Sequence, residues 1–81
     1  MQFQLSESAE EQYIKLLPAL QKAAQKQFDH LVRDLRHPSL RTKKYDETLG
    51  LWQARINASW RFYFFIKSDT YYIVSIRKHP K

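Results

Sequence analysis

Between Leu51 and Arg77 the sequence alternates with a period of two, and this pattern constrains the fold more than any other feature. Trp52, Ala54 and Ile56 alternate with Leu51, Gln53, Arg55 and Asn57. Phe62, Phe64 and Ile66 alternate with Arg61, Tyr63, Phe65 and Lys67, and Tyr72, Val74 and Ile76 with Tyr71, Ile73, Ser75 and Arg77. The polar stretches "NAS" and "KSD" between them read as turns. Three strands joined this tightly pair as an antiparallel meander. Such a sheet buries one face, and the even-numbered residues are the set assigned to it.

The first half has helical spacing instead. "FQLS" at 3–6 reads as a short first strand. Ser6 or Ser8 offers an N-cap, and Glu7, Glu10 and Glu11 favour the positive end of the helix that follows. Ala9, Tyr13, Leu16 and Leu17 share one face of it. Pro18 ends this helix and suits the first position of the next. Leu20, Ala23, Ala24, Phe28, Leu31, Val32 and Leu35 then keep one stripe until "RHPS" stops it. The expected fold is therefore α+β: an N-terminal strand, two helices, then a three-stranded antiparallel meander, in one sheet with the helices packed on one face. The chain of 81 residues has room for one core, so residues 1–81 read as a single domain.

Several chemistries are excluded by residue type and spacing. There is no Cys, and His30, His37 and His79 are scattered without zinc-like spacing. A lone Gly50 fits neither a phosphate-binding loop nor a dinucleotide fingerprint. No metal or cofactor is expected. No apolar run of about 18 residues exists, and "MQFQLSESAEE" lacks the features of a signal peptide. A soluble cytoplasmic protein with no membrane partner is expected. His30 reads as structural or solvated, and His37 as a helix-end residue.

Charge points to a polyanion. Residues 1–36 contain five Lys/Arg and five Asp/Glu, whereas residues 37–81 contain nine and three, which accounts for the whole net charge of +6. No acidic residue lies between positions 48 and 68, yet Arg55 and Arg61 sit in the strongest strand signal. Strand parity puts Arg55, Arg61 and Arg77 on the face away from the helices, with Tyr63 and Tyr71. Guanidinium forks hold phosphate and aromatic faces stack bases, so this face is a candidate nucleic-acid platform.

The order of elements resembles the RelE/ParE superfamily of bacterial toxins, and residues 37–66, "HPSLRTKKYDETLGLWQARINASWRFYFFI", carry the resemblance. The family pattern W-x-x-R-[IV]-x-x-x-x-R-[FLV]-x-[YF] is matched here by Trp52, Arg55, Ile56, Arg61, Phe62 and Phe64, and "VSIRKH" looks like the terminal strand. The ribonuclease branch of that family cleaves mRNA, generally in the ribosomal A site, by attack of a ribose 2′-hydroxyl on the adjacent phosphate. The resemblance implies that Arg61 contacts the scissile phosphate, with Arg55 as a second basic position on the preceding strand. His79 matches the C-terminal position where some members keep a catalytic His and others an Arg. Arg41, Lys43 and Lys44 match the basic segment that grips RNA, with Tyr63, Arg77 and Lys78 as further RNA-binding candidates. The aromatic residue that often follows the terminal catalytic position is here Pro80. Members with a carboxylate base keep it before the second strand, where this chain offers Asp46 and Glu47, both also ordinary turn residues.

The implied partners are mRNA, the ribosome and a cognate antitoxin, in a bacterial toxin–antitoxin system that inhibits translation. Two alternatives share the fold: a non-enzymatic ParE-type poison of DNA gyrase, which does not need His79, and an inactive RNA-binding relative. An RRM is disfavoured because its Gly-containing RNP1 pattern is missing.

Overall fold

A computed structural model describes residues 1–79. Its elements are β1 (Gln2–Leu5), α1 (Glu7–Ile14), α2 (Pro18–Arg33), a 3₁₀ turn (Pro38–Leu40), β2 (Lys43–Asp46), β3 (Leu51–Arg55), β4 (Trp60–Lys67) and β5 (Thr70–Lys78). They form one five-stranded sheet in the order β1-β5-β4-β3-β2. β2 through β5 are antiparallel neighbours, and β1 adds to β5 in parallel. The meander thus has four strands where three were expected. The extra one, β2, is the basic segment "KKYD", whose side chains are mostly exposed and show no strong apolar alternation.

Ser6 is the N-cap of α1, its Oγ accepting from the Ala9 N–H at 3.1 Å. Because α1 follows β1 directly, it runs alongside β5 where β1 stops. There Ser6 Oγ donates to the Val74 carbonyl at 3.4 Å, and Gln12 Oε1 accepts from the Ile76 N–H at 2.7 Å. These contacts satisfy edge groups of β5 that no strand reaches. The helix ends at Ile14, earlier than its apolar spacing suggested, so Leu17 is the N-cap of α2 and lies 76% exposed. Pro18 opens α2 at a position where its missing N–H costs nothing.

The core lies between α2 and the inner face of the sheet. Phe28 packs edge-on against Phe62 with ring centroids 5.0 Å apart, and tilted against Phe3 at 5.2 Å. Leu31, Leu40, Ala54, Phe64 and Ile73 are fully buried around them.

One bulge overturns part of the parity reading. The β4–β5 register runs Arg61↔Arg77, Phe62↔Ile76 and Tyr63↔Ser75, then slips to Phe64↔Ile73, leaving Val74 as the extra residue. A one-residue slip reverses every side chain beyond it. Tyr71 and Ile73 therefore enter the core, while Tyr72 and Val74 turn to the outer face. Tyr71 packs T-shaped on Phe64 at 5.5 Å and does not join the arginines. Among the described residues, no helix is long and apolar enough to cross a membrane.

Candidate functional site

The outer face is organised by register into two adjacent rows. Arg55, Arg61 and Arg77 are consecutive cross-strand neighbours on β3, β4 and β5. Beside them, Lys43, Gln53, Tyr63 and Ser75 are neighbours on β2 to β5. The second row is largely covered: Gln53, Tyr63 and Ser75 are all buried. Tyr45, displaced by the β2 bulge, stands edge-on against Tyr63 with centroids 4.9 Å apart. The Arg77 guanidinium lies 5.8 Å from the centre of the Tyr63 ring, a cation–π contact, and its Nε donates to Ser75 Oγ at 2.9 Å.

The β3–β4 turn positions the other two arginines. Asn57 Oδ1 accepts from the Ser59 and Trp60 N–H groups at 2.8 and 2.9 Å, an Asx arrangement that closes the turn. The Asn57 carbonyl then accepts from Arg55 Nε at 3.1 Å and from Arg61 Nη1 at 2.7 Å. Arg61 Nη1 also donates to the Trp60 carbonyl at 3.0 Å. Burial and then the neighbouring charges of Arg55 and Arg41 push the Arg61 pKa down, with Tyr63 acting the other way. Arg61 remains protonated at any physiological pH. Burial, followed by Tyr45, pushes the Tyr63 phenol up, so it stays protonated and can donate a hydrogen bond.

Two clefts open on this face. One of about 230 Å³ is lined by Arg41, Lys43, Gln53, Arg55 and Arg61. The other, of about 320 Å³, includes Tyr45, Asp46, Tyr63, Ser75 and Arg77 in its walls. Arg41 reaches the first from a left-handed backbone, φ 47° and ψ 48°, that closes the 3₁₀ turn. A non-glycine residue held there carries backbone strain.

The structure therefore brings together Arg41, Lys43, Arg55, Arg61, Tyr63 and Arg77. It does not bring Lys44, whose ammonium lies 5.8 Å from the Trp52 ring centre on the opposite face. Lys78 lines a cleft on the helix side with Leu17, Leu20 and Trp60. His79 is exposed, and its N–H donates to the Ser59 carbonyl at 2.6 Å. Arg77, not His79, is the cross-strand neighbour of Arg61, so His79 stands beside the turn, two residues further on. Pro80 lies outside the described residues. Asp46 Oδ1 accepts from the Leu49 N–H at 3.1 Å, a turn role, although the residue also lines the second cleft. Glu47 is exposed, and its carbonyl accepts from the Gly50 N–H at 3.3 Å.

Two contributors were missed in the sequence. Tyr45 is placed by the β2 bulge, for which the sequence carries no signal. Gln27 is buried on the apolar stripe of α2, where its Nε2 holds the Arg55 carbonyl at 2.8 Å. A polar residue between Ala24 and Phe28 on that stripe was the available clue.

Neither a protein-family model nor a curated protein matches the chain. Solved structures do. The YoeB/ParE toxin from Agrobacterium tumefaciens superposes with a TM-score of 0.81 at 15% identity, over 99% of this chain and 100% of that one. A chain of the YoeB-YefM complex from Staphylococcus aureus gives 0.79 at 19% identity, over 99% of this chain and 98% of that one. The toxin-antitoxin complex RelBE2 from Mycobacterium tuberculosis gives 0.79 at 22% identity, over 96% of each chain. Near-complete mutual coverage at these TM-scores shows that the chain has the fold of the RelE/ParE toxins.

Proposed function

We propose that the protein is the toxin of a toxin–antitoxin pair and acts as a RelE-like endoribonuclease on mRNA, engaged on the ribosome. The observation that carries this reading is the register row Arg55–Arg61–Arg77 beside Tyr63. Three guanidinium groups stand in line on neighbouring strands, and no acidic residue lies between positions 48 and 68 in the two strands that carry Arg55 and Arg61. A phosphodiester supplies the negative charge, and the bidentate fork of each arginine matches its two free oxygens.

In the reaction the ribose 2′-oxygen attacks phosphorus, the bond to the 5′-oxygen breaks, and the products are a 2′,3′-cyclic phosphate and a 5′-hydroxyl. Arg61 and Arg55 hold the non-bridging oxygens, whose charge grows in the crowded transition state. Tyr63, its ring covered by Tyr45 and Arg77, offers a protonated phenol from the neighbouring cleft. His79, at the edge of this face, carries the imidazole assigned to proton transfer between the 2′-oxygen and the leaving 5′-oxygen, a role the arginines do not suit. Arg41, Lys43 and Arg77 extend the grip along the backbone. A cognate antitoxin covers this cationic face and blocks it, as charge complementarity favours.

Tightly controlled expression tests the reading. Cleaved mRNA ends carrying cyclic phosphate and 5′-hydroxyl groups are expected, with RNA affinity falling steeply as salt rises. Toxicity without mRNA cleavage, with DNA gyrase trapped on DNA, would transfer the assignment to a ParE-type poison.

A further inference from the structure

A second cationic cleft, of about 400 Å³, opens on the helix side of the β3–β4 turn. Lys26 and His30 line it from α2, His37 and Ser39 from the segment after α2, and Arg55 and Asn57 from β3 and the turn. Its walls are fixed by hydrogen bonds. Gln27 Nε2 donates to the carbonyls of Ser39 and Arg55 at 3.1 and 2.8 Å, and Gln27 Oε1 accepts from the Ser39 hydroxyl at 3.2 Å. His37 Nδ1 lies 3.2 Å from the Ser39 backbone nitrogen and 2.8 Å from Ser39 Oγ, which ties the ring to the segment after α2. The His37 ring stacks on His30, with centroids 3.9 Å apart and 15° between planes.

This stack is short of negative charge. Desolvation, then His37, Lys26 and Arg33, lowers the His30 pKa, and Asp29 alone opposes them. Arg55 lines the same cleft from β3, where its carbonyl accepts from Gln27 Nε2. Arg55 also lines the outer-face cleft with Arg41, Lys43 and Arg61, so the two clefts adjoin at this residue. A cationic path thus runs from the arginine row around the turn to α2.

We propose that this cleft binds a second phosphate of the same single-stranded RNA, held by Lys26, His30 and His37 beyond the phosphate held at Arg61. The inference rests on the RNA substrate proposed above. RNA fits better than an acidic protein segment. Protein partners anchor through large apolar side chains in pockets, and the apolar lining here is only Ala23, Ile56 and Ala58. A polymer of regularly spaced monoanions, by contrast, suits two clefts that share an arginine. Binding there favours protonated His30, so affinity for longer RNA rises as pH falls.

The test uses two 2′-O-methyl RNAs, which cannot be cleaved, a trinucleotide and an octanucleotide, with the histidine resonances followed by NMR on the full chain. The octanucleotide is expected to shift the His30 and His37 resonances and raise the His30 pKa. Lys26 is exposed on α2, so Lys26→Gln leaves the fold intact. It is expected to weaken the octanucleotide about five- to tenfold, spare the trinucleotide, and reduce the log–log salt slope by about 0.7, one phosphate contact. His30→Gln is expected to remove the gain in octanucleotide affinity on acidification. Equal octanucleotide affinity for Lys26→Gln and the parent, with both resonances unmoved, overturns the proposal alone. A parent that binds neither RNA overturns it together with the RNA-substrate reading. Resonances moved by an acidic peptide but not by RNA also overturn it, in favour of a protein partner.

Discussion

Arg55 and Arg61 face each other across the β3–β4 pair, and both guanidinium groups donate to the carbonyl of Asn57, at 3.1 and 2.7 Å. Two like charges placed side by side repel, and a shared carbonyl only partly offsets that repulsion. The turn therefore holds both forks in place before any ligand arrives. Preorganised charge of this kind needs no rearrangement when phosphate binds, which is how electrostatic stabilisation becomes catalytic.

Replacing Arg61 should separate activity from stability. Arg61→Lys keeps the charge but loses the fork and the paired carbonyl contacts. It is expected to abolish toxicity and RNA cleavage. Thermal unfolding of Arg61→Ala should show a stability change of no more than about 1 kcal/mol, because lost hydrogen bonds are offset by relief from Arg55 and Arg41. Collapse of the fold on this substitution would make the arginine structural.

Arg41 presents its charge from a left-handed backbone. Arg41→Ala keeps the strain and removes the cation, whereas Arg41→Gly removes both. The glycine variant is expected to be the more stable of the two by up to about 1 kcal/mol, and both should lose RNA affinity equally. Melting temperatures and RNA titrations of the pair check the ordering.

His79→Gln addresses proton transfer. General acid–base groups contribute about 10²–10⁴-fold, so single-turnover cleavage should fall by that order while RNA binding stays near the parent value. His79 is exposed and fixed by its backbone contact to Ser59, so the melting temperature should not move. Cleavage at the full rate would direct attention to Asp46, which lines the Tyr63 cleft.

The His30–His37 stack predicts a pH-dependent stability. The folded-state pKa of His30 is lowered, so the unfolded chain takes up the proton first. Its contribution is fully present above the ordinary histidine pKa of about 6.5 and is lost as pH falls through the lower folded value. Thermal unfolding of His30→Gln should show a shallower decline than the parent between about pH 6.5 and pH 5. Parallel curves would mean that the stack carries no such penalty.

Local patterns in the sequence determined the element order, the Ser6 cap, the Pro18 helix start and the arginine face, because each depends on nearest neighbours or on a period of two or 3.6. That Arg55, Arg61 and Arg77 share one face was legible for the same reason, whereas their alignment in one row needed a register that only strand pairing fixed. Tertiary structure decided the rest. The bulge at Val74 sent Tyr71 into the core, since filling the space beside Phe64 outweighed strict alternation. Lys44 went to the Trp52 side because β2 paired with β3 at all, which its polar sequence did not announce. His79 stands beside Ser59, two residues past the Arg61–Arg77 pair, an offset set by β4–β5 pairing. The stacking of His30 on His37 depended on how the chain leaves α2 and folds back on it. Contacts between residues on different elements follow from packing the whole chain at once, and no local period encodes them.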